Sequence, residues 1–195
     1  MEALRESQGA TLRVVLAINA VLFVVELAAG VLAGSTALLS DSLDNLGDAL
    51  TYGLSIYAIS RGPRTKAKVA LLKGFLILAA ALFVLAQVGY RALYGATPLY
   101  EAMGVVSLLA LAGNATCLAL LWKHRSADVN MSSVWECSRN DIAGNVAVFI
   151  AAGAVWLTGT RWPDLVVGLL LSAWLLASSA RVLRNGAAEL KLVSV

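Results

Sequence analysis

Long apolar stretches alternate with short polar breaks from one end of the chain to the other. The stretches cover residues 11–33, 36–60, 67–94, 100–122, 131–157 and 164–183. The breaks hold the residues that stop helices: Gly34-Ser35, Arg61-Gly62-Pro63-Arg64, Gly95-Ala96-Thr97-Pro98, Lys123-His124-Arg125, and Thr158 to Pro163. A helix needs roughly 20 mostly apolar residues to cross a hydrocarbon core of about 30 Å. Each stretch meets that length. The pattern therefore predicts an all-α fold, a polytopic transmembrane bundle of six helices forming a single domain over residues 1–195.

Composition agrees. The 195 residues are 59% hydrophobic and 14% charged, against about a quarter charged in soluble domains. A soluble protein this apolar would expose large greasy patches and aggregate. Met1 to Gln8 carries Glu2, Arg5 and Glu6 and has no short apolar core with a small-residue cleavage site, so it does not read as a signal peptide. Cys117 and Cys137 lie in different apolar segments, which argues against a disulfide framework.

Charge sets the expected orientation. If six spans alternate, one side collects Arg5, Arg13, Arg61, Arg64, Lys66, Lys68, Lys73, Lys123, Arg125, Arg181, Arg184 and Lys191. The other collects only Arg91 and Arg161. Basic residues stay cytoplasmic, so both termini are expected there. The net charge of +3 is modest, and its residues report topology rather than a nucleic-acid partner. Trp122, Trp135, Trp162 and Tyr94 fall near span ends, as an aromatic belt places them and as plain apolar packing also would.

The second stretch departs from this apolar pattern. Ser40-Asp41-Ser42-Leu43-Asp44-Asn45-Leu46-Gly47-Asp48 carries three carboxylates at spacings of three and four, along one helix face. Counted from Gly34, Asp44 and Asp48 lie about 15–20 Å along the helix, near the middle of the core. A carboxylate at that depth costs several kcal/mol. A bound cation or proton must compensate it, and a divalent metal with hard oxygen ligands does so. Asp41 lies nearer the end of the span and lines the approach. The competing reading is a water-facing second segment with solvated aspartates, but the apolar run Ala49 to Ile59 completes a span.

The fifth stretch offers a matching face. Cys137, Asp141 and Asn145 follow one another at four-residue intervals. Running in the opposite direction, this helix brings Cys137 and Asp141 roughly 10–15 Å deep, to meet Asp44 and Asp48. A tetrahedral site of Asp44, Asp48, Cys137 and Asp141 suits zinc and its neighbours. Cys137 reads either as the fourth ligand or as a small buried hydrophobe. Glu26 in the first span supports these carboxylates, moves protons, or makes an interhelical hydrogen bond. Arg139 and Glu136 lie on other faces of the fifth helix, pairing with each other, with Asp41 or Glu26, or reaching headgroups. Asn19, Gln87 and Asn114 read as packing glue, Gly30 and Gly34 as a close helix approach, and His124 as solvated surface.

At these residues the chain resembles the cation diffusion facilitator family. The resemblance rests on Asn19, Glu26, Gly30, Gly34-Ser35, Ala37-Leu38, Asp41, Asp44 and Asp48 in the first two spans, and on Cys137, Asp141 and Asn145 in the fifth. It implies a proton-coupled exporter of divalent metal, working by alternating access, that commonly forms a homodimer. It also implies a bacterial inner-membrane location. Where the family usually has His or Asp, this chain has Cys137, which points to a softer site. The Arg61 to Lys73 connection has no histidine, so no second site is expected there. The chain stops about a dozen residues past the sixth span, so no cytoplasmic C-terminal domain is expected. The expected cargo is a zinc-like cation, with cadmium, cobalt and iron as alternatives. No resident cofactor is expected. A carboxylate cluster in low dielectric favours its protonated form when empty, and so exchanges metal for protons. Two other readings use the same acidic face: an organic-cation carrier, and a metal-binding membrane subunit that transports nothing. No Ser/His/Asp arrangement or phosphate loop points to an enzyme.

Overall fold

The computed structural model describes residues 2–58, 63–123 and 129–192, and not every side chain within them. Those residues form six helices: α1 (Glu2–Ala33), α2 (Thr36–Ala58), α3 (Pro63–Tyr94), α4 (Tyr100–Leu121), α5 (Val129–Thr158) and α6 (Trp162–Leu192). The order and breaks match the hydropathy pattern. Two helices outrun it furthest: α1 starts nine residues before the apolar stretch and α6 continues nine beyond. Hydropathy marks the part of a helix that suits lipid, whereas the helix itself runs on until the chain meets a breaker or loses its contacts.

Five helices, all but α2, are long and apolar enough to cross a membrane. Their large apolar side chains point outward: Leu32, Val21, Phe83, Ile150, Leu170 and others are exposed. In water such a surface would aggregate, and in a bilayer it is the lipid contact. The chain is an integral membrane protein. The aromatic residues near the ends follow the same logic, since Tyr94, Trp122 and Trp162 are exposed. Trp135 instead packs edge-on against Trp122 at 6.1 Å between ring centroids.

The helix that fails the composition test is the one at the centre. α2 packs on α1, α3, α5 and α6. From Thr36 to Leu43 every residue is buried. A helix enclosed by protein needs no lipid-facing apolar stripe and can carry polar side chains toward its neighbours. α1 lies along α2, α4 along α5, and α3 along α6. Small residues permit the closest approaches. A Cβ on Gly30 would stand 3.0 Å from both the side chain and the backbone nitrogen of Leu39. The expected close approach at Gly30 is therefore between α1 and α2. Gly34 instead shapes the α1–α2 turn, where it adopts φ +70°, a left-handed conformation natural to glycine.

That turn is fixed from three directions. Arg91 Nη1 donates to the Gly34 carbonyl at 2.5 Å. The Leu99 amide donates to the Ala33 carbonyl at 2.9 Å. The third tie is Asp164, in the first turn of α6. Its carboxylate accepts from Ser35 Oγ at 2.6 Å, the Thr36 amide at 2.8 Å, Thr36 Oγ1 at 2.8 Å and the Ala37 amide at 3.1 Å. Ser35 Oγ in turn accepts from the Leu38 amide at 3.0 Å. The first amides of a helix have no partner within it and attract negative charge. Here a carboxylate from another helix and the local serine satisfy them together. Arg161, the other basic residue at this end, donates to the Gly95 carbonyl and, at 2.9 Å, to the Ala92 carbonyl. Both arginines at the sparsely charged end thus bond to loop carbonyls.

Candidate metal centre

Below the clamped turn, one face of α2 turns toward α5 and α6. Asp44, Asp48, Cys137 and Asp141 line a single cavity of about 190 Å³, together with Asn140 and with Trp174, Ser178 and Arg181 of α6. A second cavity, about 310 Å³, shares Asp44, Asn140 and Trp174 with it and extends between α5 and α6 past Gly144 and Leu171. The four residues expected as metal ligands therefore face one space. Asp48 is 7% exposed and Asp141 4%, while Asp44 and Cys137 are half-buried. Each of α2 and α5 thus contributes one deeply buried carboxylate and one more accessible donor. Among the described residues, no three His, Cys, Asp or Glu side chains close on one metal-holding point in this conformation. The groups share a cavity without yet forming a coordination shell.

Spacing explains how the helices present these groups. Asp44 and Asp48 are one turn apart on α2, and Tyr52 is one turn further. The Tyr52 hydroxyl, fully buried, donates to Asp48 Oδ2 at 2.6 Å. On α5, Cys137, Asp141 and Asn145 climb the facing side in the same steps. Asn145 Nδ2 donates to the Asp141 backbone carbonyl at 2.6 Å, so its side-chain oxygen remains available. Cys137 is a free thiol close enough to Asp48, Asp141 and Asp44 to feel their charge. Cys117 is also free, and it is wholly buried in an apolar cluster with Leu12, Val15, Tyr52 and Leu121.

Asp41 does not line the cavity. Its Oδ1 would lie 2.9 Å from a Cβ on Gly144, so the absence of a side chain there lets it reach α5. Glu26 of α1, fully buried, accepts a hydrogen bond at 2.8 Å from Asn45 Nδ2. Glu26, Asp41 and Asn145 thus stand behind the cavity carboxylates, toward the Gly34 end of α2.

Several residues in or beside the cavity carried no signal in the sequence. Lys73 of α3 donates to Thr51 Oγ1 and faces Asp44, Asp48 and Cys137 electrostatically. By sequence it was one of many basic residues near a connection. Arg181, Ser178 and Trp174 read as ordinary residues of the last span. Tyr52 alone was detectable, as the next position on the acidic face. Arg139 reaches neither Asp41 nor Glu26: it is exposed, with its guanidinium 5.5 Å from the centroid of the Trp135 ring. Asn19 bonds to the Val15 carbonyl at 2.9 Å and contacts Cys117 Sγ at 3.8 Å, whereas neither polar atom of the Asn114 side chain has a partner. His124, Arg125, Arg61 and the side chains of Arg5, Lys66 and Glu136 lie outside the described residues.

Comparison with known proteins places this architecture. CzcD of Cupriavidus metallidurans, a metal cation efflux system protein, is 31% identical over 195 aligned residues, covering 90% of this chain and 62% of that protein. ZitB of Yersinia pestis, a zinc transporter, is 26% identical over 199 aligned residues, covering 95% of this chain and 64% of that protein. The chain therefore spans a little under two thirds of the length of these curated relatives. Its residues 12–191 match the cation efflux transmembrane domain. With six helices, a polar α2 at their centre and a match over nearly its whole length, the chain belongs to the cation efflux, or cation diffusion facilitator, family.

Proposed function

We propose that this protein carries a divalent metal cation out of the cytoplasm in exchange for protons, binding the metal at Asp44, Asp48, Cys137 and Asp141. The observation that carries the reading is the shared cavity of those four side chains, sunk among helices whose outer surfaces suit lipid. Nothing in folding favours three acidic side chains there. The three carboxylates and the thiol offer four mixed donors of the kind zinc takes in tetrahedral sites. The names of the relatives, a metal cation efflux protein and a zinc transporter, point the same way. Zinc or a neighbour such as cadmium, cobalt or iron is the cargo, and no enzymatic step or resident cofactor is involved.

Proton coupling follows from competition. Metal and protons use the same carboxylate oxygens, so each displaces the other. Glu26, Asp41 and Asn145 stand behind the ligands and support them or relay protons. Lys73 and Arg181 border the cavity on its cytoplasmic side, both termini lie in the cytoplasm, and the bacterial sources of the relatives point to the inner membrane. A homodimer formed through the spans completes the reading.

The test is proteoliposomes holding a pH-sensitive dye. Adding zinc outside should drive proton movement in wild type, and Asp48→Ala and Asp141→Ala should abolish it. Unchanged proton movement in both variants would remove the site assignment. Metal uptake without proton movement would leave a carrier but no exchange.

A further inference from the structure

Asp141 of the cavity also belongs to a second set of buried polar side chains, nearer the Gly34 end of α2. None of its members is basic: Glu26 from α1, Asp41 and Asn45 from α2, and Asp141 and Asn145 from α5. All five are buried, at 0%, 2%, 1%, 4% and 0% exposure. Each also has one oxygen without a hydrogen-bond partner: Glu26 Oε1, Asp41 Oδ2, Asn45 Oδ1, Asp141 Oδ2 and Asn145 Oδ1. Buried polar atoms almost always find partners, and a group of five that do not needs an explanation.

The cluster is built so that those oxygens stay free. Asn45 gives its Nδ2 to Glu26 at 2.8 Å and shares it with the Asp41 carbonyl at 3.5 Å. Asn145 gives its Nδ2 to the Asp141 carbonyl at 2.6 Å. Both amides thus turn their donors away and leave their acceptors. Gly144 opens the space that Asp41 fills. Among the described residues, the charged groups facing Asp41 are Glu26, Asp44 and Asp141, all acidic. The lower cavity differs, since Lys73 faces its carboxylates and thiol.

We propose that Glu26, Asp41 and Asp141, with the amide oxygens of Asn45 and Asn145, form a second station for the divalent cation, made of oxygens only. The proposal rests on the transport reading above. Three carboxylates and two amide oxygens are the donor types a hard divalent ion takes, although, as in the cavity, no three of the acidic side chains close on one point in this conformation. Asp41 is three residues from Asp44, and Asn145 four from Asp141. At about 1.5 Å per residue, both steps move some 4–6 Å toward the Gly34 end. Asp141 belongs to both sets, lining the cavity and neighbouring Asp41 and Glu26, so an ion passing from one station to the other keeps one carboxylate in common. An ion leaving the thiol-containing site thus meets oxygen ligands along its path instead of crossing apolar protein.

Cobalt titration of the purified full chain in detergent tests this, with bound metal counted and the thiolate-to-cobalt absorption recorded. Wild type should bind two equivalents, of which one carries the thiolate band. Glu26→Gln and Asp41→Asn should each remove the equivalent without the band and leave the other. Asp48→Asn should remove the banded equivalent and keep the Glu26-dependent one. The two inner variants back each other should either fail to fold, as judged by its melting transition. One equivalent in wild type, carrying the band, would overturn the second station and leave the transport reading intact. Two equivalents that neither Glu26→Gln nor Asp41→Asn reduces would also overturn it. No bound cobalt at all would overturn both readings.

Discussion

Two buried carboxylates that meet one helix at different heights show how differently a membrane protein can use the same group. Asp164, 1% exposed, meets the start of α2 with hydrogen bonds from two amides and two hydroxyls. Asp141, 4% exposed, faces the middle of α2 with Oδ2 unpartnered and acidic neighbours. The first charge is balanced by the fold and contributes to it. The second is left unbalanced and is costly until something binds. A buried charge is therefore not evidence of function in itself; the partners of its oxygens decide. Removing a group from a satisfied site strands its partners, whereas removing an unsatisfied one relieves the fold.

Four substitutions would break or sharpen this contrast. Asp164→Ala strands the donors at the start of α2 and should cost on the order of 3–5 kcal/mol, read as a large fall in melting temperature in detergent. Asp141→Asn should abolish metal-driven proton movement yet leave stability within about 1 kcal/mol of wild type, or raise it, in the same melting assay. If Asp141→Asn destabilised as much as Asp164→Ala, the distinction between the two carboxylates would collapse. Tyr52→Phe removes the hydrogen bond that orients Asp48 and should weaken metal binding about tenfold with the fold intact, as calorimetry of metal binding would show. Cys137→Ser trades a soft donor for a hard one and should lower cadmium uptake relative to zinc, measured in a competition assay. An unchanged ratio would assign Cys137 to packing.

The same contrast bears on what the sequence could reveal. The helices were legible because lipid demands long apolar runs and the breaks hold Gly and Pro. The acidic faces of α2 and α5 were legible because regular spacing on one helix puts side chains in line. Asp164 was not: it reads as the first residue of a span, and its partners lie over a hundred residues away. Lys73, Trp174 and Arg181 were hidden for the same reason, because a residue's place in a cavity depends on which other helix packs beside it. Arg139 was left with several readings by the sequence, and its exposed place over the Trp135 ring excludes only a pairing with Asp41 or Glu26. α2 was legible as a polar span but not as the central helix, since its composition does not say which helices enclose it.

The Asp164 clamp has a mechanical consequence. Thr36 sits so tightly against α6 that a Cβ on Gly168 would come within 2.6 Å of its hydroxyl. With the turn also tied through Gly34 and Ala33, any tilt of α2 would pivot about that end. Asp48 is twelve residues away, an arm of about 18 Å at 1.5 Å per residue. A tilt of about 10° there would swing Asp48 by roughly 3 Å, enough to make or break a metal–oxygen bond while the clamped end hardly moves.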